Sequence, residues 1–143
     1  MNHSEIWVLG HKIIKHNPSG NFDLVEGLTP SSVPGPPPHY HAGFNEVFVV
    51  LEGKMEFMVN GETIIAKTGD SVDLPPNTVH TFNNASDEPC RWLNIHSPKG
   101  FLSFFESFGV NTDEEKAFEK SVHEKIIQQV MEQAGDYDMI IKT

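Results

Sequence analysis

The 143-residue chain contains one cysteine, Cys90, and one arginine, Arg91. A single thiol cannot form an intrachain disulfide, and Cys90 has no partner at metal or redox spacing. It reads as a small buried hydrophobe in a protein of a reducing compartment. Cations of any kind are scarce: 10 Lys and Arg stand against 20 Asp and Glu, a formal net charge of -10. Nucleic acid and anionic membranes are therefore not expected partners, since both need cationic patches. No run of eighteen apolar residues exists, so no membrane-spanning helix is expected. The opening M-N-H-S-E-I-W lacks a basic region followed by a long apolar run, so no signal peptide is expected and the cytoplasm is the expected compartment.

What the chain does have is enough apolar material for one domain, 38% hydrophobic residues with ten phenylalanines. Short apolar runs alternate with turn residues from the start. I-W-V-L at 6–9, K-I-I-K at 12–15 and F-D-L-V-E at 22–26 read as strands. T-P-S-S-V-P-G-P-P-P at 29–38 holds five prolines, which exclude helix and central strand and predict a stiff loop. V-F-V-V-L at 47–51 is apolar at every position, as in a strand covered on both faces. K-M-E-F-M-V, Asn60-Gly61 and E-T-I-I-A predict a hairpin, because Asn-Gly is the favoured pair for a type I′ turn. S-V-D-L, T-V-H-T-F and C-R-W-L-N-I-H follow as further strands. Turn signals every eight to twelve residues point to a β-sandwich or barrel.

The pattern changes after Ser97. G-F-L-S-F-F-E-S-F at 100–108 predicts a short helix that covers a barrel end with its phenylalanines. T-D-E-E at 112–115 reads as a capping box, Thr112 with Glu115. Phe118, Val122, Ile126, Ile127, Val130 and Met131 then recur at helical spacing, with His123 on the solvated side and Gly135 as the stop. The expected division is a barrel with its N-terminal strands over 1–100 and a helical extension over 101–143, packed on the barrel or on a second subunit.

The chemistry-bearing stretch is P-P-P-H-Y-H-A-G-F-N-E, 36–46. His39 and His41 share a face if the segment is extended. Glu46 has the wrong parity to join them, so a bend must intervene, and Gly43 is the residue expected to allow it. With that bend, two imidazoles and a carboxylate converge and call for a cation. The prolines before them fix the backbone at low entropic cost.

H39-Y-H41-A-G-F-N-E46-V-F-V-V-L-E-G53 resembles the first motif of the cupin superfamily, H-x-H, then Glu, then Gly at a six-residue gap. G69-x5-P75-x-N77-x2-H80-x3-N84 resembles the second. Asn77 stands where the family has glycine, and Asn is the next best residue at positive φ. Three residues, where five are usual, separate Gly35 from His39, which touches the entry loop only. Both motifs lie within 35–84. The resemblance implies an all-β fold, the double-stranded β-helix or jelly-roll barrel, with the C-terminal helices added to it. It implies His39, His41, Glu46 and His80 as ligands of one divalent transition metal. Such a donor set suits Fe, Mn, Ni, Co, Cu or Zn and leaves positions open for substrate. Cupins that have lost their metal usually lack one or more of these ligands, and all four are here.

Parity adds Phe48, Val50 and Phe82 as possible pocket residues, and His96 as another; Met55, Phe57, Trp92 and Asn94 are pocket or core. Tyr40 should point away from the ligands. His3, His11 and His16 lie outside the motifs and are expected in solvent. The phrasing V-E-G-x-T-P…P-G-P-P-P-H-Y-H is similar to quercetin 2,3-dioxygenase-like cupins. The resemblance implies a metal-dependent dioxygenase acting on a small hydroxylated carbonyl compound, with Glu46 as ligand and general base. An O₂-independent isomerase, lyase or decarboxylase, or a non-catalytic small-ligand-binding module, fits the same ligands. Sugar-phosphate chemistry would need a cationic site, and only Lys54 and Lys67 lie near the motifs. A homodimer is expected, both from the resemblance and from the apolar strand at 47–51.

Overall fold

The computed structural model describes residues 5–142. His3 and the first residues of the N-terminal reading lie outside the described residues. Ten strands occupy the first two thirds of the chain: β1 (Glu5–Val8), β2 (His11–Lys15), β3 (Asp23–Thr29), β4 (His39–Tyr40), β5 (Asn45–Glu52), β6 (Lys54–Val59), β7 (Glu62–Lys67), β8 (Ser71–Leu74), β9 (His80–Asn83) and β10 (Cys90–Ser97). After them come α1 (Leu102–Phe108), β11 (Val110–Asn111), α2 (Ala117–Ser121), α3 (Glu124–Gln133), a 3₁₀ turn (Ala134–Tyr137) and β12 (Ile140–Ile141).

The strands form two antiparallel sheets. One has seven strands in the order β11-β1-β2-β3-β10-β5-β8; the other has five, in the order β12-β4-β9-β6-β7. Strict alternation builds the core between them. β3 and β10 bury every second residue, and β5 buries Glu46, Phe48 and Val50 on one face. Val47, Val49 and Leu51 on the other face of β5 are half-buried, and the strand lies inside its sheet between β10 and β8. The core joins Phe48, Phe57, Phe82 and Trp92 with ring centroids 5.0 to 6.1 Å apart. Cys90 is fully buried and burial pushes its thiol up to about 11, as its reading as a small hydrophobe requires.

Asn60 and Gly61 both have positive φ, 48° and 86°, and the β6–β7 hairpin forms with the expected pairing from Val59 with Glu62 outward. The proline segment is a loop stitched to β9. Gly35 N–H donates to the Phe82 carbonyl at 2.9 Å, and a Cβ on Gly35 would sit 2.2 Å from that same oxygen. Only glycine permits so close an approach. At the loop's start the buried Asn84 amide donates to the carbonyls of Thr29, Pro30 and Glu88.

The C-terminal segment departs from the expected single helix. Residues 112–115 form turns, and Lys116 sits at φ 56°, a left-handed position that breaks the path before α2. The Thr112–Glu115 capping box is not formed. His123 is extended and its Nδ1 accepts the Lys125 N–H at 3.1 Å, so the residue expected on a helix's solvated side is the cap of α3. Gly135 lies inside the 3₁₀ turn, and the left-handed residue that ends it is Asp138, at φ 59°. The segment also contributes strands: β11 pairs with β1 and β12 pairs with β4. α1 forms as expected and buries Phe104 and Phe108. No helix among the described residues is long and apolar enough to cross a membrane.

Candidate metal centre

His39 and His41 do not share an unbroken strand with Glu46. β4 belongs to the five-stranded sheet and β5 to the seven-stranded one. Residues 41–44 carry the chain from one sheet to the other, so side chains of different parity meet across the gap between sheets. Gly43 has no positive φ in this bend. Its N–H donates to Asp138 Oδ2 at 2.6 Å, and the Ala42 N–H donates to Oδ1 at 2.9 Å. An outside carboxylate, not glycine's freedom, holds the bend.

His80 enters from β9, directly opposite His39. The ligand nitrogens of His39, His41 and His80 lie within 4.8 Å of one another. Glu46 Oε1 stands 3.2 Å from His41 Nε2 and 3.1 Å from His80 Nε2. All four side chains are buried. Each histidine donates its Nδ1–H to a backbone carbonyl: His39 to Pro37 at 2.9 Å, His41 to Asp138 at 2.7 Å, His80 to Thr78 at 2.9 Å. A carbonyl only accepts, so Nδ1 keeps its proton and, in each neutral ring, Nε2 carries the lone pair. Orientation of this kind is what metal-binding imidazoles require.

His96 and Asn94 complete the other wall from β10. Asn94 Nδ2 donates to Glu46 Oε2 at 2.7 Å, and His96 Nε2 lies 3.4 Å from the same oxygen. His41, Glu46 and His96 form a second group of donors within 4.8 Å. Phe101 stacks on the His96 ring with centroids 4.3 Å apart.

The electrostatics are those of a site built for positive charge. Burial opposes ionisation of Glu46, yet His96, His41 and His80 around it hold its carboxyl well below the usual range. Burial also works against charge on His41, but Glu46 beside it raises that residue overall. His39 is pushed down to about 3 by burial and by His80. Glu46 Oε1 and His96 Nε2 are buried without a hydrogen-bond partner. A buried anion facing lone pairs is costly unless a cation is shared among them. Two donors on one ion are at most about 4.2 Å apart at bonds of about 2.1 Å, so the observed spread is close to that of a filled shell. The donors present fit one divalent transition metal.

A cavity of about 60 Å³ adjoins the cluster. Phe48, Phe82 and His96, expected as possible pocket residues, line it together with Trp92, Asn94 and three phenylalanines near α1, Phe101, Phe104 and Phe105. Val50 is corrected: it is 1% exposed and packs in the core, away from the cavity lining. Met55 and Phe57 are core as well. Tyr40 is half-buried beside Ile140, turned away from the cluster by strand alternation. His16 is exposed, as expected.

His11 is not in solvent. It is 5% exposed, lines the cavity, and its Nδ1 lies 2.9 Å from Thr29 Oγ1. The signal was its parity with Ile13, visible once the strand begins one residue before K-I-I-K. Asp138 had no such signal, because its contact with residues 41–43 spans nearly a hundred positions of sequence.

Comparison with known proteins agrees with this geometry. Residues 28–96 match the cupin-domain family model. The quercetin 2,3-dioxygenase of Bacillus subtilis (strain 168) is 31% identical over 101 residues, 69% of this chain and 29% of that protein. The chain spans less than half the length of the curated relatives it matches. Among solved structures, an RmlC-like cupin from Shewanella frigidimarina superposes with a TM-score of 0.58 at 23% identity, covering 66% of this chain and 84% of that one. A sugar phosphate isomerase of the cupin superfamily from Silicibacter pomeroyi gives 0.59 at 19% identity, covering 64% and 61%. At such identities these two likenesses speak to the fold alone. The jelly-roll barrel of this chain, matched over residues 28–96, is a cupin domain that resembles those of quercetinase-like proteins.

Proposed function

We propose that this protein is a metal-dependent dioxygenase that acts on a small hydroxylated carbonyl compound, with His39, His41, His80 and Glu46 as ligands of one divalent metal. The observation that carries the reading is the common tautomer of the three histidines, whose Nδ1 protons are all committed to backbone carbonyls while Glu46 Oε1 stays free among their Nε2 atoms. The likeness to a quercetin 2,3-dioxygenase supports the reaction class. A metal in this shell would supply Lewis-acid polarisation of a substrate oxygen and a meeting point for O₂.

The chain's own residues would do the rest. Glu46 Oε2 is the oxygen turned away from the other ligands and fixed by Asn94 Nδ2. It takes the proton as the substrate O–H bond breaks, with His96 Nε2 at 3.4 Å as the neighbouring proton site. Phe101, Phe104 and Phe105 close the cavity with apolar surface and exclude water. A cavity of about 60 Å³ favours a compact substrate over a fused-ring flavonol. Among the described residues no lysine or arginine lines the cavity, which argues against a phosphorylated sugar. The same reading includes a homodimer; Ile64 and Ile65 on edge strand β7 are 41% and 47% exposed and suit a partner copy.

The test is metal analysis of protein purified without added metal, with O₂ uptake followed on 2,4-diketones and on flavonols. Stoichiometric metal with diketone-dependent O₂ consumption is the expected result. Stoichiometric metal with diketone turnover but no O₂ uptake would replace the dioxygenase by an O₂-independent lyase or isomerase. Absence of metal after reconstitution would end the reading.

A further inference from the structure

The cavity wall away from Glu46 is apolar except for one group. His11, on β2, is buried, lines the cavity beside Val8, Ile13 and Phe82, and has no part in the ligand cluster. Its Nε2 is buried without a hydrogen-bond partner. The Pro34 carbonyl lies near the ring but does not meet hydrogen-bond geometry with it. An unsatisfied ring nitrogen in a core costs stability, and such exceptions call for a partner that arrives later.

Which kind of partner follows from Thr29. Its hydroxyl is fully buried and touches two groups, Trp92 Nε1 at 2.9 Å and His11 Nδ1 at 2.9 Å. Trp92 Nε1–H can only donate, so Thr29 Oγ1 accepts there. The Thr29 proton then has one acceptor within reach, His11 Nδ1. Were His11 to donate from Nδ1 instead, the Thr29 proton would be buried with no acceptor at all. The arrangement that satisfies all three side chains puts the His11 proton on Nε2. His11 therefore brings to the cavity lining an N–H donor that is closed off from solvent and has no acceptor in hydrogen-bond geometry, among hydrocarbon side chains.

We propose that His11 Nε2–H is the specificity-determining contact for the substrate, donating to an acceptor oxygen at the end of the molecule remote from its metal-binding oxygens. The inference rests on the substrate reading given above, and it adds to it the class of ligand: compact, apolar along its body, with a chelating enolisable end and a second, neutral oxygen such as an ether or carbonyl. A hydrocarbon tail of the same shape leaves the donor unpaired and is discriminated against. A carboxylate or phosphate at that end is disfavoured, because burial keeps His11 neutral and no cation stands beside it.

Two isosteric diketones test this: 7-methoxyheptane-2,4-dione, and nonane-2,4-dione, in which CH₂ replaces the ether oxygen. Binding of each to the protein is followed by calorimetry and by the fluorescence of Trp92, which lines the same cavity. The unaltered protein should prefer the ether by about tenfold. His11→Met should abolish that preference without weakening the hydrocarbon analogue, and His11→Gln, which keeps an N–H donor, should restore part of it. Equal affinity for the two compounds in the unaltered protein, or a preference that survives His11→Met, overturns the role of His11. Failure of the unaltered protein to bind either diketone overturns the substrate reading beneath it, and this inference with it. The comparison in the unaltered protein stands even if the Met variant does not fold.

Discussion

Asp138 holds His41 twice over. Its carbonyl accepts the His41 Nδ1–H at 2.7 Å, and its carboxylate accepts the N–H groups of Ala42 and Gly43, the next two residues. The residue that ends the C-terminal 3₁₀ turn thus fixes both the Nδ1 proton of a proposed ligand and the bend that carries the chain on to Glu46. Its left-handed backbone, at φ 59°, presents carbonyl and side chain toward the same segment. The C-terminal segment is in this sense part of the site, although it offers no ligand.

Asp138→Ala keeps the backbone carbonyl on His41 Nδ1 but removes the carboxylate that holds the Ala42 and Gly43 N–H groups, so it should weaken metal binding by about tenfold while leaving the barrel folded, the lower end of the effect of outer-shell partners on metal sites. Asp138→Asn, which tolerates the left-handed conformation and keeps one acceptor, should lose less. Competition against a chromophoric chelator measures both. Equal affinity in Asp138→Ala and the unaltered protein would show that the clamp does not govern the site.

Glu46→Gln separates binding from chemistry. Gln keeps a ligand oxygen but cannot take a proton at neutral pH. Metal content should stay near half or more of the original, and turnover should fall by about 10² to 10⁴, the range of general-base catalysis. The double substitution His41→Ala with His80→Ala should remove tightly bound metal altogether. Metal retained by the double variant at full stoichiometry would place the ion elsewhere.

His11 gives stability a pH dependence of known sign. Burial lowers its pKa from 6.5 to about 4. The unfolded chain then binds the proton first as pH falls, so stability is full above 6.5, declines between 6.5 and about 4, and levels off below. A shift of this size corresponds to roughly 3 kcal/mol. The difference in unfolding free energy between the unaltered protein and His11→Gln, measured by denaturant at several pH values, should show that decline. A difference that does not change over this window would mean that the ring is hydrated or paired in solution.

Asn77 tests the turn. It has φ 68°, is exposed, and donates its backbone N–H to the His41 carbonyl at 2.7 Å. Asn77→Gly keeps both the conformation and the N–H, so the unfolding free energy should change by less than about 1 kcal/mol. Asn77→Val, β-branched at positive φ, should cost more. A large loss in the Gly variant would show that the Asn77 side chain has a further role.

Local chemistry decided much of this protein in advance. Two-residue alternation put Phe48, Phe82, Trp92 and Asn94 on inward faces, and Asn60-Gly61 had few conformations other than the hairpin turn it makes. The motif residues His39, His41, Glu46 and His80 could be picked out because their donor chemistry has few other uses at such spacing. What the sequence could not contain is the meeting of distant segments. Val50 has the same parity as Phe48 yet lies too far along β5 to reach the cavity. The helix read from Thr112 onward starts only after the left-handed Lys116 and breaks again at the extended His123, and Val122, Ile127 and Met131 of its apolar stripe stay exposed, since helical spacing does not record whether one axis serves all its residues or what covers them. His11 became a cavity residue because β2 begins one position earlier than its apolar run, and because Thr29, eighteen residues later, offers its ring a partner. Asp138 became the keeper of His41 because β12 adds a strand beside β4. Pattern and propensity act over a few residues and set which side chains face inward; the pairing of strands remote in sequence sets which of those side chains face one another, and the site consists of the second kind of fact.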